Sequence, residues 1–137
     1  MRKILFVCVH NAGRSQIAEA LFNRLAEARG LPYRAISAGT MPTDAINPVV
    51  VQVMEEIGIS MAGCRPQRLT PEMAGSAFRS ITMGCGVNSG ACPATFLAGE
   101  DWGLMDPAEQ PIETVRQIRD EIQRRVELLA QSLASNV

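Results

Sequence analysis

Ile4-Leu5-Phe6-Val7 is a short apolar run suited to a buried strand, and ten residues later Ile17, Ala18, Leu21, Phe22 and Leu25 recur with helical spacing. The change of period falls inside one octapeptide, Cys8-Val9-His10-Asn11-Ala12-Gly13-Arg14-Ser15. That stretch is therefore a strand-to-helix turn. Such a turn gathers consecutive backbone N–H groups into a concavity at a helix N-terminus, where unpaired donors and the helix dipole favour a tetrahedral oxyanion.

The residues of the turn suit that task. Cys8 enters the cradle, and the surrounding amides and guanidinium favour a negatively charged sulfur. Arg14 supplies a planar fork for phosphate-like oxygens, and Gly13 lets the backbone approach them closely. His10, Asn11, Ala12, Gly13, Arg14 and Ser15 are the candidate oxyanion-binding residues. Ser15 is expected both to cap the helix and to donate to the Cys8 sulfur, and Asn11 to hold the loop conformation through its side chain. His10 is expected to line the loop, since an activated thiolate needs no base.

A chain of 137 residues is one domain by length, and 47% hydrophobic with 20% charged residues fits a soluble globular protein. Thirteen basic against fourteen acidic residues give a net charge of −1, with no basic stretch beyond Arg124-Arg125, which argues against nucleic acid or anionic membrane as partner. No apolar run approaches the roughly 20 residues that span a bilayer. Met1-Arg2-Lys3 and the following apolar run lack a cleavage site, so a cytoplasmic protein is expected. Four cysteines there would serve catalysis, redox chemistry or metal binding before static cross-linking.

Further along, the first helix should run to about Arg29 and stop at Gly30-Leu31-Pro32, with a second strand over Tyr33 to Ala38. Asn47-Pro48 starts a helix carrying Val50, Val51, Met54 and Ile57, and Thr70-Pro71 starts a short one. Phe78 to Met83 reads as a third strand, Gly84 to Gly99 as loop or loose helix, and Trp102 to Pro111 as a fourth short strand or extended loop. Ile112, Val115, Ile118, Ile122, Val126, Leu129 and Leu133 mark one stripe of a long C-terminal helix. Alternating strands and helices predict a single three-layer α/β domain over residues 1–137, a four-stranded parallel sheet flanked by helices, with the anion loop after strand 1.

Two further features bear on chemistry. Asp106-Pro107 lies in a polar loop, where the carboxyl could protonate a leaving oxygen or simply initiate a turn. Cys85 and Cys92 would share a helix face but stand about 10.5 Å apart along its axis, while a disulfide tolerates Cα separations of about 4.4–6.8 Å. Joining them requires a non-helical segment, and Gly86, Gly90 and Pro93 all weaken a helix there, as a redox switch would need.

Taken together, Cys8 to Gln16, Ser37-Ala38-Gly39, Thr82-Met83-Gly84-Cys85, Cys92-Pro93, and Trp102-Gly103 with Asp106-Pro107-Ala108 resemble the thioredoxin-coupled arsenate reductases of the low-molecular-weight tyrosine phosphatase superfamily. The resemblance runs from Lys3 into the C-terminal helix. It implies that Cys8 attacks arsenate held by the loop amides and Arg14, that Asp106, followed by Pro107, protonates the departing oxygen, and that Cys85 and then Cys92 resolve the adduct. Arsenite leaves, and thioredoxin reduces the final Cys85–Cys92 disulfide. Phosphate or sulfate would mimic the substrate, no cofactor is held tightly, and the protein is a monomer. Some relatives hold a potassium ion, for which Asn11, Glu19 and Ser37 are present, although Gln67 stands where an acid is expected. Cys64 lies outside the relay and reads as structural.

Three rivals remain. A phosphatase for phosphotyrosine or a small phosphoester would use the same Cys8, Arg14 and Asp106, but Ala108 follows Pro107 where an aromatic ring would sandwich a phenol. A reductase fed by glutathione or mycothiol would not need both Cys85 and Cys92. A four-cysteine zinc module lacks the close pairs such sites show.

Overall fold

The computed structural model describes residues 1–84 and 100–135. Cys85, Cys92 and the loop or loose helix expected up to Gly99 lie outside the described residues. Strand β1 spans Arg2–Cys8, helix α1 Arg14–Arg29, β2 Tyr33–Gly39, α2 Pro48–Glu55, α3 Pro71–Ser76, β3 Arg79–Thr82, β4 Glu100–Asp101 and α4 Ile112–Ala134. The strands form one parallel sheet in the order β2-β1-β3-β4.

Alternation along β1 divides the core. Ile4, Phe6 and Cys8 face a large apolar cluster with Ile17, Leu21 and Phe22 of α1, Val50, Val53 and Met54 of α2, and Val115, Ile122 and Leu133 of α4. Leu5 and Val7 face the other side, against Ala38, Leu69 and Met73. Burial on both faces explains why Ile4 to Val7 reads as a continuous apolar run. The three-layer parallel α/β architecture expected from the sequence is thus present, with Cys8 at the carboxyl end of a central strand.

Local chemistry sets the element ends. Asn47 caps α2, its side chain accepting from Val49 N at 3.0 Å, with Pro48 in the first turn. Thr70 caps α3 in the same way through Met73 N. Arg119 of α4 is buried and donates from Nη1 to Val53 O at 2.8 Å and to Glu56 at 2.9 Å, pinning α2 to α4. Arg116 closes on the same carboxylate, and the two guanidinium groups hold Glu56 down at about 2.

Three expectations shift in detail. α1 begins at Arg14 with Gly13 as its N-cap, so Ser15 lies inside the helix and does not cap it. Ile57 lies beyond the end of α2. The fourth strand is Glu100–Asp101, just before Trp102, because the chain leaves the ladder once Trp102 N has bonded Thr82 O and turns inward to bury its indole 5.6 Å from Phe6.

The outer edge of β2 is closed by side chains. Asn23 takes both backbone groups of Ala35, donating to its carbonyl at 3.1 Å and accepting from its N–H at 2.7 Å. Gln67 Nε2 donates to Ser37 O at 2.8 Å, and Gly39 is bracketed by Gln67 O and Leu69 N. No helix among the described residues is long and apolar enough to cross a membrane.

Candidate active site

The octapeptide folds into a tight loop whose turning point is Asn11, in the left-handed region at φ 52°. An Asn tolerates that conformation better than most residues, and here its side chain is fully engaged. Asn11 Nδ2 donates to Ser15 Oγ at 2.7 Å, while Oδ1 accepts from Gln16 Nε2 at 3.0 Å and from Gln67 N at 2.9 Å. The loop is thereby locked to α1 on one side and to the segment between α2 and α3 on the other.

The Cys8 sulfur sits inside this frame, 2% exposed as a residue. Asn11 N donates to it at 3.2 Å, and Ser15 Oγ lies 2.9 Å away. Ser15 Oγ already accepts from Asn11, which leaves its proton free to point at the sulfur. Ser15 thus faces the sulfur and not the helix end.

Beyond the sulfur opens a cavity of about 350 Å³, lined by Cys8, His10, Ala12, Gly13, Arg14, Thr43, Ala45, Ile46, Asn47, Pro48, Asp106, Pro107 and Ala108. Of the candidate oxyanion residues, His10, Ala12, Gly13 and Arg14 line it; Asn11 and Ser15 are fully buried behind it and orient the sulfur. Among the described residues of the wall there is no phenyl, phenol or indole ring.

Arg14 is buried at 3% exposure and is held from one side. Its Nη1 donates to Gly84 O at 2.7 Å and Leu104 O at 2.9 Å, with Met83 O at 3.5 Å, while Nη2 stands 3.8 Å from Asp106 Oδ2. One edge of the fork is thus spent on the protein, and the opposite edge is turned toward the carboxylate at the cavity. The carbonyl anchors are tertiary and carried no signal in the sequence.

Asp106 initiates the turn that its dipeptide suggested, and its carboxyl lies at the cavity. Oδ1 accepts from Ala108 N at 2.9 Å, a side-chain turn, and the carboxyl remains about half exposed at the cavity mouth. Pro107 is buried and packs on the anion loop: a Cβ at Gly13 would meet Pro107 Cγ at 2.6 Å. Glycine at position 13 is what lets the Asp106 loop seat directly on the oxyanion loop.

Of the oxygens suggested for a monovalent cation, Asn11 Oδ1 is already engaged at both acceptor positions, and Gln67 presents its amide nitrogen to Ser37 O. Ser37 Oγ is buried without a hydrogen-bond partner among the described residues. Burial pushes the Glu19 carboxyl up from 4.5, only partly offset by Ser37 and Arg34. Glu19 and Ser37 alone are too few oxygens to form a cage for a cation. A carboxyl whose folded value is raised binds its proton more tightly in the native state, so stability falls as pH rises above about 4.5. Glu19→Gln should therefore gain stability over the wild type between pH 4.5 and 8, equally in sodium and potassium chloride. Urea midpoints measured across that range check this; a gap that closes only in potassium would reinstate the cation.

Cys64 is partly buried, and desolvation together with the nearby Glu19 pushes its thiol up, unlike a reactive cysteine. Among the described residues no cluster of three His, Cys, Asp or Glu side chains could hold a metal.

Residues 3–137 match the family model described as low molecular weight phosphotyrosine protein phosphatase. A protein of Halobacterium salinarum with the provisional name arsenate reductase is 38% identical over 90% of this chain and 87% of its own. The glutaredoxin arsenate reductase of Synechocystis is 33% identical over 94% and 96% of the two chains. A solved structure, the thioredoxin-dependent arsenate reductase of Corynebacterium glutamicum, superposes with a TM-score of 0.76 at 34% identity, covering all of this chain and 64% of that one.

Proposed function

The chain belongs to the low molecular weight phosphotyrosine protein phosphatase family, and from that premise we propose that it is an arsenate reductase, regenerated by thioredoxin through a relay of Cys8, Cys85 and Cys92. The observation that carries the reading is a Cys8 sulfur fixed by Ser15 and Asn11 at the end of a cavity that Arg14 and Asp106 also line. That arrangement suits nucleophilic attack on a tetrahedral oxyanion. The names of the relatives favour arsenic over phosphorus, as does a described wall without an aromatic ring to grip a phenol.

In the proposed reaction the Cys8 thiolate forms a bond to arsenic(V) while one oxygen departs, protonated by Asp106 and released as water. The backbone amides of the loop and the outward edge of Arg14 take the remaining oxygens. The Cys85 thiolate then attacks the Cys8 sulfur. The sulfur–arsenic bond breaks with its electron pair on arsenic, arsenite leaves, and a Cys8–Cys85 disulfide remains. Cys92 attacks Cys85, returning Cys8 as a thiolate and leaving a Cys85–Cys92 disulfide, which the dithiol of thioredoxin reduces. One arsenate consumes one dithiol.

Two of the three relatives carry different donors in their names, glutaredoxin in one and thioredoxin in the other. The presence of both Cys85 and Cys92 supports the internal relay and thioredoxin over glutathione or mycothiol. The protein is proposed to act in the cytoplasm as a single-domain monomer. Weak phosphatase activity on small phosphoesters fits the same cavity, since phosphate and arsenate share shape and charge.

Cys92→Ser separates the steps. It should release one arsenite per protein and then stop as a Cys8–Cys85 disulfide, whereas the wild type turns over continuously with thioredoxin, its reductase and NADPH. Arsenite stoichiometry and mass spectrometry of the linked peptides read the result; normal turnover by the variant would remove Cys92 from the relay. A wild type that oxidises NADPH only with glutathione and glutaredoxin would replace the donor.

A further inference from the structure

We propose that Asp101 is a positioning residue for Arg14, acting through the Thr82–Gly84 turn. Asp101 Oδ1 accepts from Thr82 Oγ1 at 2.6 Å and from Gly84 N at 2.9 Å. Gly84 O, on the far side of the same residue, is the nearest anchor of Arg14 Nη1, at 2.7 Å. The carboxylate on β4 therefore fixes the Met83–Gly84 peptide at the entry to Gly84, and the carbonyl at the exit of the same residue holds the guanidinium.

The geometry of Gly84 shows why such a brace is needed. Its φ is 95°, in the region that favours glycine, and a Cβ there would meet Leu104 N at 2.6 Å and Leu104 O at 2.8 Å. Leu104 N in turn donates to Met83 O at 2.9 Å, and Leu104 O is the second anchor of Arg14, at 2.9 Å. Glycine is the most permissive residue in backbone conformation, so a turn built on it is held in place by its neighbours. Asp101 bonds the turn beside the carbonyls of Met83 and Gly84, both of which face Arg14. Asp101 does not line the cavity; its effect on the site passes through the turn.

This inference rests on reading Cys8 and Arg14 as the anion site, and its test keeps the two separable. Alkylation of Cys8 is followed by peptide mass spectrometry in the full chain with iodoacetate, which is anionic, and with iodoacetamide, which is neutral. A guanidinium aimed into the cavity raises the iodoacetate rate relative to iodoacetamide, and phosphate, which the thiols do not reduce, competes with both. Asp101→Ala should lower that ratio and weaken competition by phosphate about tenfold, the worth of one hydrogen bond to a charged group, well below its unfolding temperature. Asp101→Asn keeps the acceptor oxygen and should restore most of the ratio, which a role limited to stabilising the sheet would not predict. Should Asp101→Ala fail to fold, Thr82→Val removes one of the two bonds and is expected to lower the ratio about threefold. A wild type with no preference for iodoacetate would overturn the anion-site reading and this proposal with it. A wild-type preference that survives unchanged in Asp101→Ala, or in Thr82→Val if the former does not fold, would overturn the proposal alone.

Discussion

Cys8→Ser should fold as well as the wild type and reduce arsenate at least about 10³-fold more slowly, the scale seen when an enzyme loses its nucleophile. The structure explains why the two halves of that result separate. Ser15 Oγ and Asn11 N can bond an oxygen in place of the sulfur, so the loop keeps its internal network. A hydroxyl there ionises far less readily than a thiol, and it cannot accept the second thiol's attack to form a disulfide. Arsenite measured against time, beside thermal unfolding of both proteins, checks the expectation. Persistent turnover by the serine variant would transfer the chemistry to another thiol.

Arg14→Lys is the second large effect, expected to lower kcat/KM for arsenate by about 10²–10³-fold, the cost of losing one fixed donor to the developing charge. Charge alone does not do what this residue does. The guanidinium spends Nη1 on Gly84 O and Leu104 O while its other edge stays near Asp106, and a single ammonium cannot face both ways. Lysine would either satisfy the two carbonyls and abandon the anion, or reach the anion and leave the carbonyls unpaired in a site where Arg14 is 3% exposed. The second choice costs about 1–3 kcal/mol in stability. Steady-state kinetics and denaturation on the same preparation distinguish the two; unchanged kinetics would show that Arg14 is only a structural tie.

What could be read from the sequence is local, and what could not is tertiary. β1, the anion loop and α1 are legible because three consecutive segments each obey their own period, and Gly13 and Arg14 stand where a helix N-terminus needs them. The stripe from Val115 to Leu133 is legible because α4 is long enough to repeat its pattern. β4 carries no such signal: it is two exposed acidic residues, placed by pairing with Ile81 and Thr82 and by the burial of Trp102. Ser15 does not cap α1 because the helix starts one residue before it, and its hydroxyl faces the Cys8 sulfur instead. The carbonyls around Arg14 and the bonds of Asp101 link residues far apart in sequence through backbone atoms, where side-chain identity is silent.

The finished rim of β2 has a consequence for how this protein behaves in a crowded solution. A row of outward-facing peptide groups is a template on which a foreign chain could lengthen the sheet, and here Asn23 imitates a neighbouring backbone at Ala35 while Gln67 occupies Ser37 O and Gly39 is shared between Gln67 and Leu69. On that flank an incoming strand finds its rungs at Ala35, Ser37 and Gly39 already taken, so the edge beside the Cys8 loop is kept from being drawn into an aggregate.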